Sequence, residues 1–512
     1  MIFSSDLRRY EICISSPPKV YVRDGIKITV WGSVYDEIFI DEFLDLDIDQ
    51  IFQHAILWSG YFFVILEVND DIYLFNDIFG NFRLYTKEED DVLKIFDEVP
   101  SVECSALDLN ELQYFKNHKY TTGFGTYIDG LGKLPPATLI KKTLKNTNLQ
   151  SSIYFEMLGS LNKDYSSYED ITEESLKNTL DNMDQSLPTY LFFSGGIDSS
   201  LLHFITKKKI EKFKLVFVKY IPSDLDNHRD ELMVDWFSKK YDIEVIKIKF
   251  SSEQVDDKKN IEMFLATPFD LAYPAIPYAL NWLYEEFGPC NVISGQSSDS
   301  IFCWGSSSES ISAGLQRFIT SHLYVRLPKL IRYVISQLYT IIYQKIWGFS
   351  KSWYVPYDTH EFYRGILDPQ GYLPIVRGNR EFKSFLSNIT NIINNNIISE
   401  KFRIMYYKLM YLQGTSNILW IKHCSINSHN LFMPFLSPEI VGVVISRQSK
   451  LKSILRPRYE LKSILSKDFN IKAFLKFKSN LSGTKASPEK FDHFYSKYVD
   501  YWNRRIEQEH DK

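Results

Sequence analysis

The spacing of apolar and polar positions changes along the chain near residue 170. Up to about residue 145 the apolar residues come in short runs, among them KITVWGSVYD (27–36), YFFVILEV (61–68) and DIYLFND (71–77). These runs are rich in β-branched and aromatic residues and are broken by polar turns, which predicts strands. LPPATLIKK (134–142) closes the region, with Pro135 and Pro136 stiffening a turn. Residues 141 to 170 are polar and rich in Asn, Ser and Lys, and 146–170 are expected to be a linker. Beyond it, TEESLKNTLDNMDQ (172–185) predicts a helix, with Glu173 and Glu174 suited to its first turn. A strand, a glycine loop and a helix follow. Next come a second strand, KLVFVKY (214–220), a helical stretch, DELMVDWFSKKY (230–241), and a third strand, EVIKIKF (244–250). Such alternation predicts a parallel α/β sheet. From about residue 305 the pattern is mostly helical, and the Asn-rich NITNIINNNIISEK (388–401) reads as a loop or helix edge.

Size and charge narrow the picture. A chain of 512 residues is too long for one core, so two domains or more are expected. Hydrophobic content of 45% and charged content of 24% are ordinary for a globular protein. The net charge of −5 argues against a nucleic-acid binder that relies on a global positive field. Five scattered cysteines without a CxxC suggest neither a disulfide framework nor a zinc site, and cytosolic thiols are expected. The N-terminus carries charge where a secretory apolar core should be. The most membrane-like stretch, 327–348, is interrupted by Lys329, Arg332, Gln337, Gln344 and Lys345, so a buried or amphipathic helix is expected rather than a span. The expected location is cytoplasmic.

The candidate chemistry lies in TYLFFSGGIDSSLLHFITKKK (189–209). A strand that ends in a glycine turn and opens a helix can cradle phosphate. Glycines let backbone N–H groups approach an anion, and the helix N-terminus adds positive dipole. Ser194, Ser199 and Ser200 offer hydroxyls beside Gly195 and Gly196. Asp198 would repel phosphate directly, but makes sense as a ligand of Mg²⁺ that bridges phosphate oxygens. No lysine sits in the loop and the string is not GxxxxGK[ST], which disfavours a Walker-type NTPase. A second strand end, CNVISGQSSDSIFCWG (290–305), again carries small residues and an aspartate. Asp299 could supply the second carboxylate on Mg²⁺.

SGGIDS is similar to the pyrophosphate-loop signature of ATP pyrophosphatases, which split ATP to AMP and pyrophosphate. That resemblance implies adenine held by backbone near Leu191 to Phe193 and Phe217 to Val218. With the second loop, where Ser294 and Gly295 precede Gln296, the pair resembles the asparagine synthetase family. Other segments agree: SHNLFMPFLSPEIVGVVIS (428–446), with Ser437 where Asp is usual; KAFLKFKSNLSGT (472–484), which places Lys478 at the family's essential lysine; and Asp230 and Glu231 after the second strand. SGYFFVILEVNDDIYLFNDIFGNFRLY (59–85) resembles that family's glutaminase domain. The implied fold is an N-terminal Ntn-hydrolase-like α+β sandwich (1–145) and a C-terminal ATP-pyrophosphatase domain (171–512), adenine nucleotide α-hydrolase-like, with a parallel sheet and many helices.

Departures from the family are as informative. Glutamine-hydrolysing members expose an N-terminal cysteine as nucleophile. This chain begins Met1, Ile2, Phe3, and its nearest thiol, Cys13, reads as a core cysteine in a strand. Asn76 replaces the arginine of the family's RDxFG string. The N-terminal domain is therefore expected to be structural, as in β-lactam synthetases and lasso-peptide macrolactam cyclases. Gln296 stands where the family places a base-like group, and glutamine takes no proton at neutral pH. Ser300 replaces the usual Glu beside Asp299.

The implied reaction is adenylation of a carboxylate by ATP. Mg²⁺ on Asp198 and Asp299 neutralises pyrophosphate, and Lys478 stabilises the adenylating phosphate and the tetrahedral intermediate. An amine then attacks and an amide forms. The leading expectation is a glutamine-independent ring-closing ligase acting on a small-molecule or peptide carboxylate. A precursor peptide and a leader-removing protease are the partners that the resemblance then implies. An amidotransferase relative using free or partner-supplied ammonia comes second, and a lapsed nucleotide-binding protein third. tRNA modification is disfavoured by the acidic balance and the missing CxxC.

Overall fold

The computed structural model describes residues 7–36, 38, 48–99, 107–118, 121–122, 124–143, 146–161, 167–221, 225–251, 275–302, 318–319, 321–341, 380–413, 417–447 and 458–469. Its first part holds β1 (Arg9–Cys13), β2 (Lys19–Arg23), β3 (Ile26–Val34), α1 (Ile48–Ala55), β4 (Gly60–Val68), β5 (Asp71–Asn76), β6 (Tyr85–Glu89), β7 (Val92–Phe96), α2 (Leu109–His118), β8 (Gly132–Lys133), β9 (Thr138–Thr143) and β10 (Asn146–Ile153). Two sheets form, one of six strands in the order β10-β9-β5-β4-β3-β2 and one of four in the order β1-β7-β6-β8. All pairings in the six-stranded sheet are antiparallel.

The alternation in YFFVILEV explains how the six-stranded sheet is buried on both faces. Phe63 and Ile65 share a cluster with Leu93 and Ile95 of the four-stranded sheet. Phe62, Val64 and Leu66 point to the opposite face, into a larger cluster that includes Phe155, Leu191 and Tyr406. Period-two side-chain alternation gives each strand these two faces. The stretch expected to be a linker begins otherwise: Asn146–Ile153 is β10, paired with β9. Its small polar residues satisfy a backbone ladder as well as any others do. Cys13, expected in a core, is exposed at the end of the outer strand β1.

The second part opens with α3 (Tyr168–Asn178), which starts one turn before Thr172 because Ser167 caps it, accepting from the Asp170 N–H. There follow β11 (Thr189–Phe192), α4 (Ile197–Lys209), β12 (Lys214–Ile221), α5 (Leu225–Tyr241), β13 (Val245–Ser251), α6 (Ala275–Phe287), β14 (Asn291–Ile293) and α7 (Ser298–Phe302). Next are α8 (His322–Val325), α9 (Lys329–Ile341), α10 (Arg380–Asn396), α11 (Glu400–Gln413), α12 (Asn417–Ile426), β15 (Asn430–Phe432), α13 (Pro438–Arg447) and α14 (Tyr459–Asp468). Of the two readings of the Asn-rich patch, helix edge holds: it is the end of α10, through Asn396, and the start of α11 at Glu400. Leu386, Ile389 and Ile393 form a buried stripe at helical spacing that overrides the weak propensity of Asn. No helix among the described residues is long and apolar enough to cross a membrane.

The five strands make one parallel sheet in the order β13-β12-β11-β14-β15. From β11 the chain moves outward through β12 to β13. It then returns to the other side of β11 for β14 and β15. The order reverses between β11 and β14, and that is where an open parallel sheet forms a ligand crevice, beyond the carboxyl ends of its strands. The two parts of the chain are closely docked. Tyr35 stacks on Phe432 of β15 with centroids 5.4 Å apart, and its hydroxyl accepts from the Met433 N–H at 3.3 Å. Tyr406 Oη donates to the Pro136 carbonyl at 2.9 Å.

Candidate active site

Both glycine loops leave the sheet at its reversal point. β11 pairs with β14 through Thr189–Asn291, Tyr190–Val292 and Leu191–Ile293, so the loops after Phe192 and Ile293 start side by side. They meet at Gly295. A Cβ built there would lie 3.6 Å from the Ser199 nitrogen and 3.8 Å from the Asp198 carbonyl carbon. A local pattern also repeats between them. Ser194 Oγ accepts from the Gly196 N–H at 3.4 Å, and Ser294 Oγ accepts from the Gln296 N–H at 3.3 Å.

In the first loop Gly195 has φ +71°, and a Cβ on it would sit 2.7 Å from Met233 Cγ of α5. The position therefore needs glycine twice over, for its dihedral and for the approach of α5. Ser199 Oγ lies 3.4 Å from Ser194 Oγ and donates to the Gly196 carbonyl at 3.3 Å. Phe193 donates its N–H to Val216 of β12 at 2.8 Å, so that amide is used by the sheet. Its ring is buried against Phe237, with centroids 4.6 Å apart. Val218 is two residues beyond the partner of Phe192 on β12, at the same end of the sheet. Ser200 is fully buried in α4, its hydroxyl without a partner among the described residues, and its N–H donates to the Gly196 carbonyl at 3.0 Å.

Asp198, in the first turn of α4, accepts from Arg458 Nη1 at 3.0 Å, and both side chains are largely buried. Arg458 was not singled out in the sequence, because RPRYELK has no feature that ties it to a loop 260 residues earlier. Asp299 lies in the backbone of α7, and Gln296 is partly buried at the turn before it. The side chains of Asp299 and Ser300, and the whole of Lys478, fall outside the described residues.

Behind the first loop, His203 of α4 sits among the rings of Phe193, Phe204, Phe213, Phe237 and Tyr241. Burial, aided by the Lys207 charge, pushes its pKa down to about 4. Neither ring nitrogen has a partner among the described residues. The imidazole is therefore neutral packing, not a base. Glu231 pairs with Lys219 and Lys247, each at 2.9 Å, tying α5 to β12 and β13. Ser437 accepts from Ser175 Oγ at 2.7 Å, a buried link from α3 to the start of α13.

In the first part of the chain, Asn76 is a buried connector. Its Nδ2 donates to the Pro135 carbonyl and its Oδ1 accepts from the Thr138 N–H, both at 2.8 Å. Cys13 has its thiol pKa raised by partial burial and by neighbouring Glu11, the reverse of nucleophile activation.

A group carrying phosphates and a divalent cation fits this arrangement. The loops lie at a strand-order reversal and the Gly195 turn admits close approach; of the two carboxylates expected on the cation, only Asp198 has a described side chain, and a guanidinium already engages it. No family model matches the sequence, and no match was found among curated proteins. Among solved structures, the U34-tRNA thiolase of Methanococcus maripaludis aligns with 16% identity, 51% of this chain, 85% of that chain and a TM-score of 0.22. The NH3-dependent NAD synthetase of Campylobacter jejuni subsp. jejuni aligns with 16% identity, 46% of this chain, 98% of that chain and a TM-score of 0.20. The glutamine-dependent NAD+ synthetase of Acinetobacter baumannii aligns with 11% identity, 58% of this chain, 60% of that chain and a TM-score of 0.20. At such scores these likenesses carry no functional argument, which rests on the two loops.

Proposed function

We propose that the chain is an ATP-dependent amide ligase of the asparagine synthetase type. It activates a carboxylate with release of AMP and pyrophosphate, and joins it to an amine without hydrolysing glutamine. The observation that carries this is the meeting of the two Ser-Gly loops, with Gly295 against Asp198 and Ser199, at the reversal point of a parallel sheet. One loop alone could be an ordinary turn; two on adjacent strands bring the Cβ position of Gly295 to within 4 Å of the backbone of Asp198 and Ser199.

In this reading the Ser194–Gly196 and Ser294–Gly295 turns receive the triphosphate, with Ser199 beside them, and the strand ends at Phe193 and Val218 flank the base. Asp198 and Asp299 would hold Mg²⁺, which supplies charge neutralisation for the departing pyrophosphate. Arg458 brings a second positive charge to Asp198, at 3.0 Å. Lys478 is proposed as the cation for the developing charge, on resemblance alone. Gln296 orients an amine or carboxylate by hydrogen bonds, leaving proton removal to water or substrate.

The N-terminal Ntn-like part is proposed as a support without glutaminase activity. Asn76 serves there as a buried connector, and Cys13 has a raised thiol pKa. With no glutaminase activity of its own, the chain is read as taking its amine from the substrate. Ring closure to a lactam or macrolactam is accordingly the preferred form, with a precursor peptide and its protease as proposed partners. Phosphorus NMR of protein, ATP and Mg²⁺, with and without small-molecule and peptide extract, tests the reading. Extract-dependent AMP and pyrophosphate, lost in Asp198→Ala, is the expected result. ADP and phosphate would contradict it. ATP binding without AMP under any condition would favour the lapsed enzyme, and stimulation by ammonium the amidotransferase.

A further inference from the structure

The second loop contains a residue in an unfavourable conformation with no glycine to relieve it. Ser297, one residue after Gln296, has φ +74°. A non-glycine residue in that region costs on the order of 1 kcal/mol or more and persists only where its surroundings hold it. Ser297 also stands immediately before α7, and its carbonyl accepts the first helical bond from the Ile301 N–H at 3.0 Å. A serine there ordinarily turns its hydroxyl back to cap the helix. Here the hydroxyl donates elsewhere, to Asn417 Oδ1 at the start of α12, at 2.8 Å.

Asn417 passes the contact on. Its Nδ2 donates to Asn81 Oδ1 at 3.4 Å, and Asn81 and Asn417 are fully buried. Asn81 belongs to the N-terminal part, 336 residues away in sequence. Its backbone is fixed by Asp77, a buried carboxylate that accepts from the N–H groups of Phe62, Phe79, Asn81 and Phe82. The Nδ2 of Asn81 is buried and has no partner among the described residues. Burying an amide half-satisfied destabilises a fold, so its polarity is not explained by the N-terminal part alone. What it does engage is Asn417.

We propose that Asn417 is a positioning residue for the ligase reaction. Through Ser297 it holds the strained turn that presents Gln296, and through Asn81 it braces that turn on the N-terminal part. The N-terminal part then acts on the reaction as the fixed end of this Asn81–Asn417–Ser297 chain. The inference rests on the proposed function for what the turn does, but not for the clamp itself.

Two measurements on the full-length protein separate these. Hydrogen exchange over residues 291–302 tests the clamp without any ligand. Asn81→Leu and Asn417→Leu are each expected to accelerate exchange there while leaving residues 189–193 of the neighbouring strand protected. Unchanged exchange over 291–302 in both variants would overturn the clamp. The second measurement is the affinity for α,β-methylene-ATP with Mg²⁺ in a double-mutant cycle. Asn417→Leu is expected to weaken binding about tenfold, the worth of one good buried hydrogen bond. In a Ser297→Gly background, where the dihedral costs nothing, the same change is expected to alter affinity less than about twofold. An equal loss in both backgrounds would show that Asn417 matters only for packing and would overturn the positioning role. Wild-type protein that binds no nucleotide would sink the ligase reading, and the exchange result would still decide the clamp.

Discussion

The two loops that meet at the crevice solve the same problem by different means. Each begins with a serine whose hydroxyl accepts an amide two residues on, and each has one left-handed residue on its way to a helix, though at different places. In the first loop it directly follows the serine, Gly195 with φ +71°, two residues before a helix of 13 residues. In the second it comes three residues after the serine, Ser297 with φ +74°, immediately before a helix of 5 residues. The first turn is intrinsically comfortable and is closed in by Met233. The second is held from outside by a buried chain of amides that reaches the other half of the molecule. A turn held this way draws on both parts of the chain.

The comparison can be broken at several points. Gly195→Ala should have the largest effect. It adds backbone strain and a Cβ 2.7 Å from Met233 Cγ, together on the order of 2–5 kcal/mol. Urea denaturation and nucleotide affinity should both fall sharply.

The supports of the two loops should respond to pH with opposite sign. His203, behind the first loop, has its pKa pushed down to about 4 from 6.5. Between those values the unfolded chain binds more protons, so stability falls as pH drops through the window. Asp77, behind the second loop, is pushed up to about 6 from 3.8, by burial that outweighs its four N–H partners. There the folded chain binds more protons, so stability falls as pH rises from about 4 to 6. Each window is worth on the order of 3 kcal/mol at most. Urea melts from pH 4 to 7 should show His203→Phe flattening the acid limb and Asp77→Asn flattening the opposing trend.

Arg458→Gln leaves Asp198 largely buried without its guanidinium and should cost about 1–3 kcal/mol. Added Mg²⁺ should restore part of that loss in the variant and change wild-type stability less, as read in thermal melts. The smallest effect should be Ser297→Gly. Relief of the dihedral and loss of one hydrogen bond nearly cancel, leaving stability within about 0.5 kcal/mol of wild type. That near-neutrality, set against Gly195→Ala, is the contrast between the loops in its sharpest form.

The loops were legible in the sequence because their pattern is local. Strand, small residues, aspartate and helix are contiguous at 189–209, and the same order recurs at 290–302. The alternation of strands and helices likewise exposed the parallel sheet. What was not legible depends on contacts distant in sequence. Arg458 reaches Asp198 only because α14 packs beside α4. Asn81 and Asn417 have no local feature that distinguishes them from other buried amides. Polar composition misread 146–153, since a strand pairs through its backbone whatever its side chains. In the Asn-rich patch, read as a loop or helix edge, a buried Leu/Ile stripe carries the helix on through Asn396 despite weak propensity.

The central claim is that the two loops form one nucleotide site. A crystal structure with α,β-methylene-ATP and Mn²⁺, read by the anomalous signal of the metal, tests it most directly. The account predicts one Mn²⁺ at the carboxylate of Asp198, with the phosphates between the Ser194–Gly196 and Ser294–Gln296 turns. Nucleotide bound away from both turns, or metal bound without Asp198, would contradict it.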